Sequence, residues 1–252
     1  RRVLVTGACG LVGRAVRELL ELRAWEVVPL DLVEQGEGCG DILDRDKLAV
    51  YEYDPKSARL GRLIFEHADV DVGGLLWSKK RKVLTGVSYV TDKVNISFFD
   101  DERKNLQKDL EARLPDKEVS LVDRSRDETR WLIVTHGDRE LGTYWFYDAR
   151  EKRLEKLADL GPWLKENEMA RMKPVEYAAR DGLKIRGYLT LPLDVEPKNL
   201  PVVILPHGGP WARDSWGFDP EVQFLVNRGA AVLQMNFRGS TGYGKAFWQA
   251  GF

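Results

Sequence analysis

The most constraining feature of the sequence is an uncharged apolar run, VVILP at residues 202–206, that passes directly into the loop His-Gly-Gly-Pro. A short continuous apolar run is typical of a strand that is buried on both faces. A helix around Phe224 and Leu225, ended by Arg228-Gly229, and a second apolar run, AAVLQMNF, follow. This order predicts a unit of buried strand, glycine loop, helix and buried strand.

Residues 201–252 carry the HGGP loop, the segment NFRGSTGYG and the segment FWQAGF, in that order. They resemble the prolyl oligopeptidase family of serine peptidases, in its acylaminoacyl-peptidase and dipeptidyl-peptidase-like branch. The resemblance extends over residues 49–252, because that family places a β-propeller before its α/β-hydrolase domain. It implies hydrolysis of peptide substrates through an acyl-enzyme, without a cofactor. It also implies that His207, Gly208 and Gly209 form the oxyanion loop, where one donor stabilises the transition state by roughly 3–4 kcal/mol.

The catalytic residues that the resemblance implies are missing from the 252 residues. No Gly-x-Ser-x-Gly elbow occurs, and in the nearest match, RGSTG around Ser240, Arg238 stands where the first glycine belongs. The order of the triad in this fold is Ser, Asp, His, and no histidine follows His207. We therefore expect this chain to be inactive as it stands, which leaves open whether it is an enzyme.

Residues 49–172 contain short β-like runs separated by polar turns, most clearly in TRWLIVTHGDRELGTYWFYDAREKRLEKL. Such meanders are typical of a β-propeller or a sandwich. At ~40–45 residues a blade, this segment predicts about three blades of an open arc. Its unpaired edges would favour self-association. A small closed sandwich, acting as a non-catalytic interaction module, is the alternative.

Two further elements are predicted from local patterns. Residues 101–116 form a charged helix with one apolar stripe, which consists of Leu106, Leu110 and Leu114. Residues 173–194 alternate as a β-hairpin does, with Asp181-Gly182 at the turn. His67 and His136 have no Cys, Asp or Glu at ligand spacing, so we expect no metal site.

The first 48 residues predict part of a dinucleotide-binding unit. An apolar strand leads into Gly7, Gly10 and Gly13, a helical pattern follows, and a second strand ends at Asp31. Glycines let the backbone approach a pyrophosphate at a helix N-terminus, and an acidic residue after the second strand can bind ribose. A βα turn in another kind of α/β protein is the alternative.

The segments TGACGLVG and GDILD resemble the extended short-chain dehydrogenase/reductases, the NAD-dependent epimerase/dehydratase family. On that resemblance Asp41 and Ile42 join the glycines and Asp31 as contacts to NAD(P), and the alternative function is that of an NAD-dependent epimerase or dehydratase. That family needs a Tyr-x-x-x-Lys pair. Tyr89 and Lys93 have this spacing, but they lie in a β-patterned stretch, where the period of two places both on the same face. We expect them not to be catalytic.

The whole sequence thus predicts a mixed fold class: a partial Rossmann βαβ segment at 1–48, an all-β meander or partial β-propeller at 49–172, and the N-terminal part of an α/β-hydrolase domain at 173–252. With 39 basic and 40 acidic residues, the net charge of −1 indicates no nucleic-acid partner. No apolar run approaches the ~18 residues of a membrane span, and we identify no signal peptide. Two cysteines give no disulfide framework. A cytoplasmic location is therefore expected.

Overall fold

The computed structural model describes residues 2–6, 26–30, 46–54, 57, 59–209 and 211–252. Its strands and helices, in chain order, are β1 (Arg2–Thr6), β2 (Glu26–Leu30), β3 (Val50–Asp54), β4 (Arg59–Phe65), β5 (Val72–Ser78), β6 (Val83–Val90), β7 (Val94–Phe98), α1 (Asp101–Arg113), β8 (Glu118–Arg124), β9 (Arg130–His136), β10 (Thr143–Asp148), β11 (Arg153–Asp159), β12 (Met172–Ala178), β13 (Lys184–Thr190), β14 (Val202–Pro206), α2 (Pro220–Asn227), β15 (Ala231–Asn236) and α3 (Lys245–Gln249). A single 3₁₀ turn spans Glu166–Glu168.

The two predicted strands near the N-terminus are present as β1 and β2, which pair in parallel with Arg2 opposite Glu26. Parallel pairing requires a crossover connection between the strands. The residues of that connection, and the segment that follows β2, lie outside the described residues. The Rossmann interpretation of residues 1–48 therefore stays a prediction.

The middle of the chain consists of antiparallel sheets. Strands β3 and β4 form a pair, β5–β7 form a three-stranded sheet, and β8–β11 form a four-stranded sheet in which each strand pairs with the next. The meander predicted from the aromatic-rich segment is confirmed by β9, β10 and β11. None of the sheets in the described ranges closes on itself.

Helix α1 covers one face of the four-stranded sheet. It begins after Asp100, whose side chain accepts a hydrogen bond from the Arg103 N–H. Leu110 and Leu114 of the predicted apolar stripe are buried, and Leu106 packs beside them half-buried. The helix is otherwise charged, so this stripe supplies its attachment to the sheet. The resulting core cluster consists of Leu110, Leu114, Val119, Trp131, Ile133 and Tyr147.

The last 80 residues form a mixed sheet in the order β12-β13-β15-β14. The predicted hairpin is confirmed by β12 and β13, and Gly182 adopts a φ of 86° at its turn. Strand β14 runs parallel to β15, and α2 connects them as the predicted strand-loop-helix-strand unit requires. Helix α2 packs on the sheet through a second cluster, which consists of Ala170, Val222, Val226 and Val232.

Strand β14 is an edge strand of the mixed sheet, and it exposes Val202 and Ile204, so the prediction that this run is buried on both faces is wrong. An apolar edge strand is a template for pairing with another chain. Self-association through sheet edges nevertheless stays a prediction. Among the described helices, none has the length and apolar character that crossing a membrane would demand.

Candidate functional site

The candidate site lies where two parallel strands end side by side. Strands β14 and β15 place Pro206 opposite Met235, so the loops that follow them leave the sheet at the same edge. Ligands of open α/β sheets bind at this carboxyl edge. The first loop begins with His207, and the second contains Ser240. The parallel pairing therefore brings together two segments that are 33 residues apart in the chain.

His207 is fixed by three contacts. Its Nδ1 lies 2.8 Å from the carbonyl oxygen of Gly208, and its Nε2 lies 2.7 Å from the Ser240 Oγ. Its ring stacks on Phe237, with the centroids 4.4 Å apart and the planes at 16°. The predicted oxyanion-loop residue is thus held by its own loop on one side and by the β15 loop on the other.

The contact between Ser240 and His207 has the distance of a nucleophile and its general base, but the geometry does not support that role. Ser240 has no exposed surface, and its hydroxyl donates to the carbonyl of Phe237 at 2.6 Å. A hydroxyl has one proton, so the Ser240 hydroxyl that donates to the Phe237 carbonyl does not donate to His207 at the same time. The pair instead joins two loops.

The two glycines after His207 expose their backbone. Both are exposed to solvent, and within the described part of the chain neither N–H donates a hydrogen bond. A Cβ on Gly208 would meet nothing within 4 Å, whereas one on Gly209 would lie 2.7 Å from the Trp211 nitrogen. Gly209 also has a φ of 136°, a conformation that side chains rarely adopt. The chain therefore requires glycine at 209 and leaves two donors open to a ligand.

A buried polar network joins the end of β15 to the loop at residues 211–219. The amide side chain of Asn236, at the end of β15, accepts from the Asp214 N–H at 2.7 Å and donates to the Tyr243 hydroxyl at 2.8 Å. Asn236 is fully buried. Sequence reasoning missed Asn236, Asp214 and Tyr243, because no local pattern shows that a loop at 211–219 folds over the end of β15.

Burial raises the pKa of Asp214 above its ordinary value of 3.8, and the nearby His207 partly offsets this rise. The Oδ2 of Asp214 and the Oε1 of Gln234 are buried, and no group in the described ranges forms a hydrogen bond with either atom. The amide nitrogen of Gln234 lies 3.4 Å from the Asp214 Oδ1. The carboxylate is thus only partly compensated for its loss of water.

We expect Asp214→Asn to stabilise the protein at pH 7 by about 1 kcal/mol, since a buried unsatisfied polar atom is costly. The pKa of this carboxyl is raised in the folded state. Its contribution to the free energy of unfolding therefore decreases as the pH rises above 3.8. The stabilisation by Asp214→Asn should therefore be smaller at pH 4 than at pH 7. Urea unfolding at both pH values measures it.

The matched control is Asp181→Asn. Arg238 holds the pKa of Asp181 at about 2 through a hydrogen bond at its exposed site. The sign is opposite here, because a lowered pKa stabilises the protein above pH 4 and this stabilisation is lost in acid. Asp181→Asn should lower stability slightly at pH 7. A stability gain for Asp181→Asn equal to that for Asp214→Asn would contradict the assignment.

Of the remaining candidates for catalysis or NAD(P) binding, only Tyr89 and Lys93 lie in the described ranges. Gly7, Gly10, Gly13, Asp31, Asp41 and Ile42, the predicted NAD(P) contacts, all lie outside the described residues. Tyr89 stacks on Phe65 at 5.7 Å, and Lys93 lies 3.5 Å above the ring of Trp216. Lys93 follows the end of β6, so the two do not share a strand face as their spacing predicted.

The described residues contain no group of three or more His, Cys, Asp or Glu side chains that could hold a metal ion. His67 contacts the ring of Tyr89 at 4.6 Å, and His136 lies 3.0 Å from the Glu118 carboxylate. His67 also accepts a hydrogen bond from the Asp69 N–H at 3.1 Å.

The sequence of the chain is similar to peptidases. The model of the prolyl oligopeptidase family matches residues 216–251. Dipeptidyl aminopeptidase BIII of Pseudoxanthomonas mexicana is 35% identical over 224 residues, and dipeptidyl peptidase family member 6 of Caenorhabditis elegans is 28% identical over 233 residues. Each alignment covers 84% of this chain and 31% of the relative. The chain therefore spans about a third of the length of these curated relatives.

The fold is similar to solved structures of the same kind. A prolyl endopeptidase, studied for its inter-domain dynamics in catalysis and specificity, superposes with a TM-score of 0.58 at 18% identity, covering 81% of this chain and 30% of that chain. Porphyromonas gingivalis dipeptidyl peptidase 4 gives 0.57 at 15% identity, covering 82% and 30%. The sheet-rich fold thus matches the β-propeller domain of such peptidases, without closed sheets in the described ranges. The chain is thus homologous to dipeptidyl aminopeptidases over most of its length, and its residues 216–251 match the prolyl oligopeptidase family.

Proposed function

We propose that this chain is part of a prolyl oligopeptidase family serine peptidase and that its glycine loop is the oxyanion-binding loop. The observation that carries the proposal is the pair of open N–H groups at Gly208 and Gly209, beside the carboxyl end of β14. Donors aimed at a developing oxyanion are commonly the largest single contribution to acyl transfer. The relatives' names describe dipeptidyl peptidases, so we propose peptides as the substrate class.

In this proposal residues 49–172 are a partial β-propeller and residues 173–252 are the first part of an α/β-hydrolase domain. The parallel pair β14 and β15, with α2 between them, supports the second assignment. The antiparallel order of β8–β11 supports the first. Peptidase chemistry of this kind needs no cofactor, because a serine, a histidine and backbone donors supply it.

In this mechanism the residues of the chain have two roles, which are to bind the substrate carbonyl oxygen and to position the loop. The N–H groups of Gly208 and Gly209 would bind the carbonyl oxygen of the scissile peptide as it becomes negatively charged. His207 would hold the loop by its bonds to Gly208 and Ser240 rather than move a proton. In this proposal Ser240 and His207 are not the nucleophile and the base, since Ser240 is buried and His207 contacts Gly208 and Ser240.

We expect a fluorophosphonate probe to leave the purified 252-residue chain unlabelled. A labelled serine must be exposed and have a base that accepts its proton. Intact mass spectrometry after prolonged incubation measures the reaction, with a known serine hydrolase as positive control. Time-dependent addition of one phosphonyl group to any serine would contradict the assignment of Ser240 and His207 as positioning residues.

The coding DNA on both sides of the gene segment gives an independent test of the family assignment. A reading frame that continues into a Gly-x-Ser-x-Gly elbow, followed by Asp and His codons, would supply the missing groups. The longer chain should then react with the probe at the elbow serine, and Gly209→Ala in it should lower kcat by about a hundredfold. Probe reactivity unaffected by Gly209→Ala would refute the oxyanion role.

The NAD(P)-binding interpretation of residues 1–48 and the cytoplasmic location stay predictions. The parallel pairing of β1 and β2 is compatible with a dinucleotide-binding unit. Titration of the 252-residue chain with NAD tests the predicted NAD(P) binding. A titration without a binding signal would refute it. The alternative of a non-catalytic β-rich interaction module predicts a stable, monodisperse fold without reactivity.

A further inference from the structure

A hairpin from the middle of the chain reaches the mixed sheet beside the candidate site. The tip that joins β6 to β7, residues 91–93, meets the loop that follows the two glycines. The guanidinium of Arg213 donates to the carbonyl of Val90 at 3.3 Å and to the carbonyl of Thr91 at 3.2 Å. These partners are more than 120 residues apart in the chain. Arg213 is therefore a direct bridge between the two sheets.

Two further contacts hold the same tip. Tyr188, a residue of β13 that is 2% exposed, donates its hydroxyl to the carbonyl of Asp92 at 2.7 Å. Burial raises the pKa of Tyr188 to about 12, so the hydroxyl keeps its proton at neutral pH. Lys93 lies over the ring of Trp216. The backbone carbonyls of the tip thus accept hydrogen bonds from Tyr188 of β13 and from Arg213 of the loop that follows the two glycines.

Arg213 is tied equally closely to the glycine loop. It lies four residues after Gly209, and its guanidinium donates to the hydroxyl of Tyr243 at 2.9 Å and stacks on that ring at 4.5 Å. The neighbouring Ala212 carbonyl accepts from the Thr241 N–H at 2.9 Å. A Cβ on Gly242 would lie 2.8 Å from the Arg213 Nη1. The side chain has little freedom to move without moving the loops around it.

We propose that Arg213 is a positioning residue, which sets the orientation of the His207–Gly209 loop by clamping it to the β6–β7 hairpin tip. The orientation of the two open N–H groups then depends on the docking of a sheet that carries none of the candidate site residues. The functional meaning rests on the proposed oxyanion role. The physical coupling is testable without any peptidase chemistry, so either can fail while the other stands.

The experiment uses the full 252-residue chain, labelled with ¹⁵N. The ring nitrogens of His207 and the exchange rate of the Thr241 amide, which donates to the Ala212 carbonyl, report the loop. The exchange rate of the Thr91 amide, which donates to the Lys93 carbonyl, reports the tip. In Arg213→Gln we expect shifted His207 ring signals and amide exchange about tenfold faster at both places. Native-state exchange follows local opening rather than global stability alone.

Arg238→Gln is the matched control, since Arg238 adjoins the Ser240 segment but pairs with Asp181 at an exposed site. It should leave the His207 signals and both exchange rates unchanged. Tyr188→Phe loosens the tip by removing one hydroxyl far from the glycines. It should shift His207 in the same direction as Arg213→Gln, and the double variant should add less than the sum.

A purely structural role for Arg213 predicts a different result. Arg213→Gln would then lower the Tm while the His207 ring signals and the Thr241 exchange rate stay as in the parent chain, and that outcome overturns the proposal. If Arg213→Gln does not fold, Tyr188→Phe decides alone. Faster exchange at Thr91 with an unchanged His207 signal would show that the tip and the loop are not coupled.

Discussion

Gly187→Ala is expected to cost about 3 kcal/mol or more of folding stability, one of the largest effects of any single methyl in this chain. Gly187 lies in β13 opposite Met235 of β15. An added Cβ would overlap the backbone carbonyl of Gln234 and lie 3.1 Å from the Met235 Cα. Backbone atoms in the middle of a sheet cannot move aside as a flexible side chain can. The pairing of β13 with β15 should therefore open.

Gly182→Ala separates this steric effect from an effect of backbone conformation. Gly182 has a φ of 86°, but an added Cβ would meet no atom within 4 Å. The conformational cost of alanine there is roughly 1–2 kcal/mol. Urea unfolding followed by tryptophan fluorescence compares the two variants. Equal destabilisation by both, or a smaller loss for Gly187→Ala, would show that β13 and β15 are not in such close contact.

Leu110→Ala is expected to destabilise the protein by about 3–4 kcal/mol. The side chain of Leu110 has no exposed surface, and it packs with Trp131, Ile133 and Tyr147 between α1 and the four-stranded sheet. The substitution removes apolar contacts and leaves a cavity that rigid aromatic neighbours fill poorly. Guanidinium unfolding, monitored by circular dichroism, gives the free energy of unfolding.

The control for this prediction lies on the same helix. Lys108 is exposed, and Lys108→Ala should change stability by no more than about 0.5 kcal/mol. Both substitutions introduce the same strong helix former, so helix propensity does not account for a difference between them. A loss below about 1 kcal/mol for Leu110→Ala would mean that α1 does not cover the sheet.

Much of the secondary structure follows from local patterns. The stripe of leucines identified α1, because the 3.6-residue period of a helix places them on one face. The turn at Asp181-Gly182 was predictable because glycine adopts a positive φ at little cost. The strand before His207 was evident from its continuous apolar run. Each of these signals depends on residues within a few positions of one another.

The candidate site was predictable only in part. His207, Gly208 and Gly209 could be named from the HGGP loop. Nothing near Ser240 in the sequence indicates that its buried hydroxyl meets the imidazole of His207. The prediction for Lys93 was wrong. Period-two alternation placed Lys93 on the same strand face as Tyr89, but β6 ends before Lys93, whose side chain lies over the ring of Trp216.

The sequence by itself determined the strand before the glycine loop, the turn at Asp181-Gly182 and the apolar stripe of α1. Tertiary structure decided which loops meet: β14 and β15 end side by side, and Arg213 reaches the carbonyls of Val90 and Thr91. The physical reason is the range of the forces involved. Backbone preferences and hydrophobic period act within a turn or a strand, whereas a hydrogen bond between distant segments exists only after the sheets have packed.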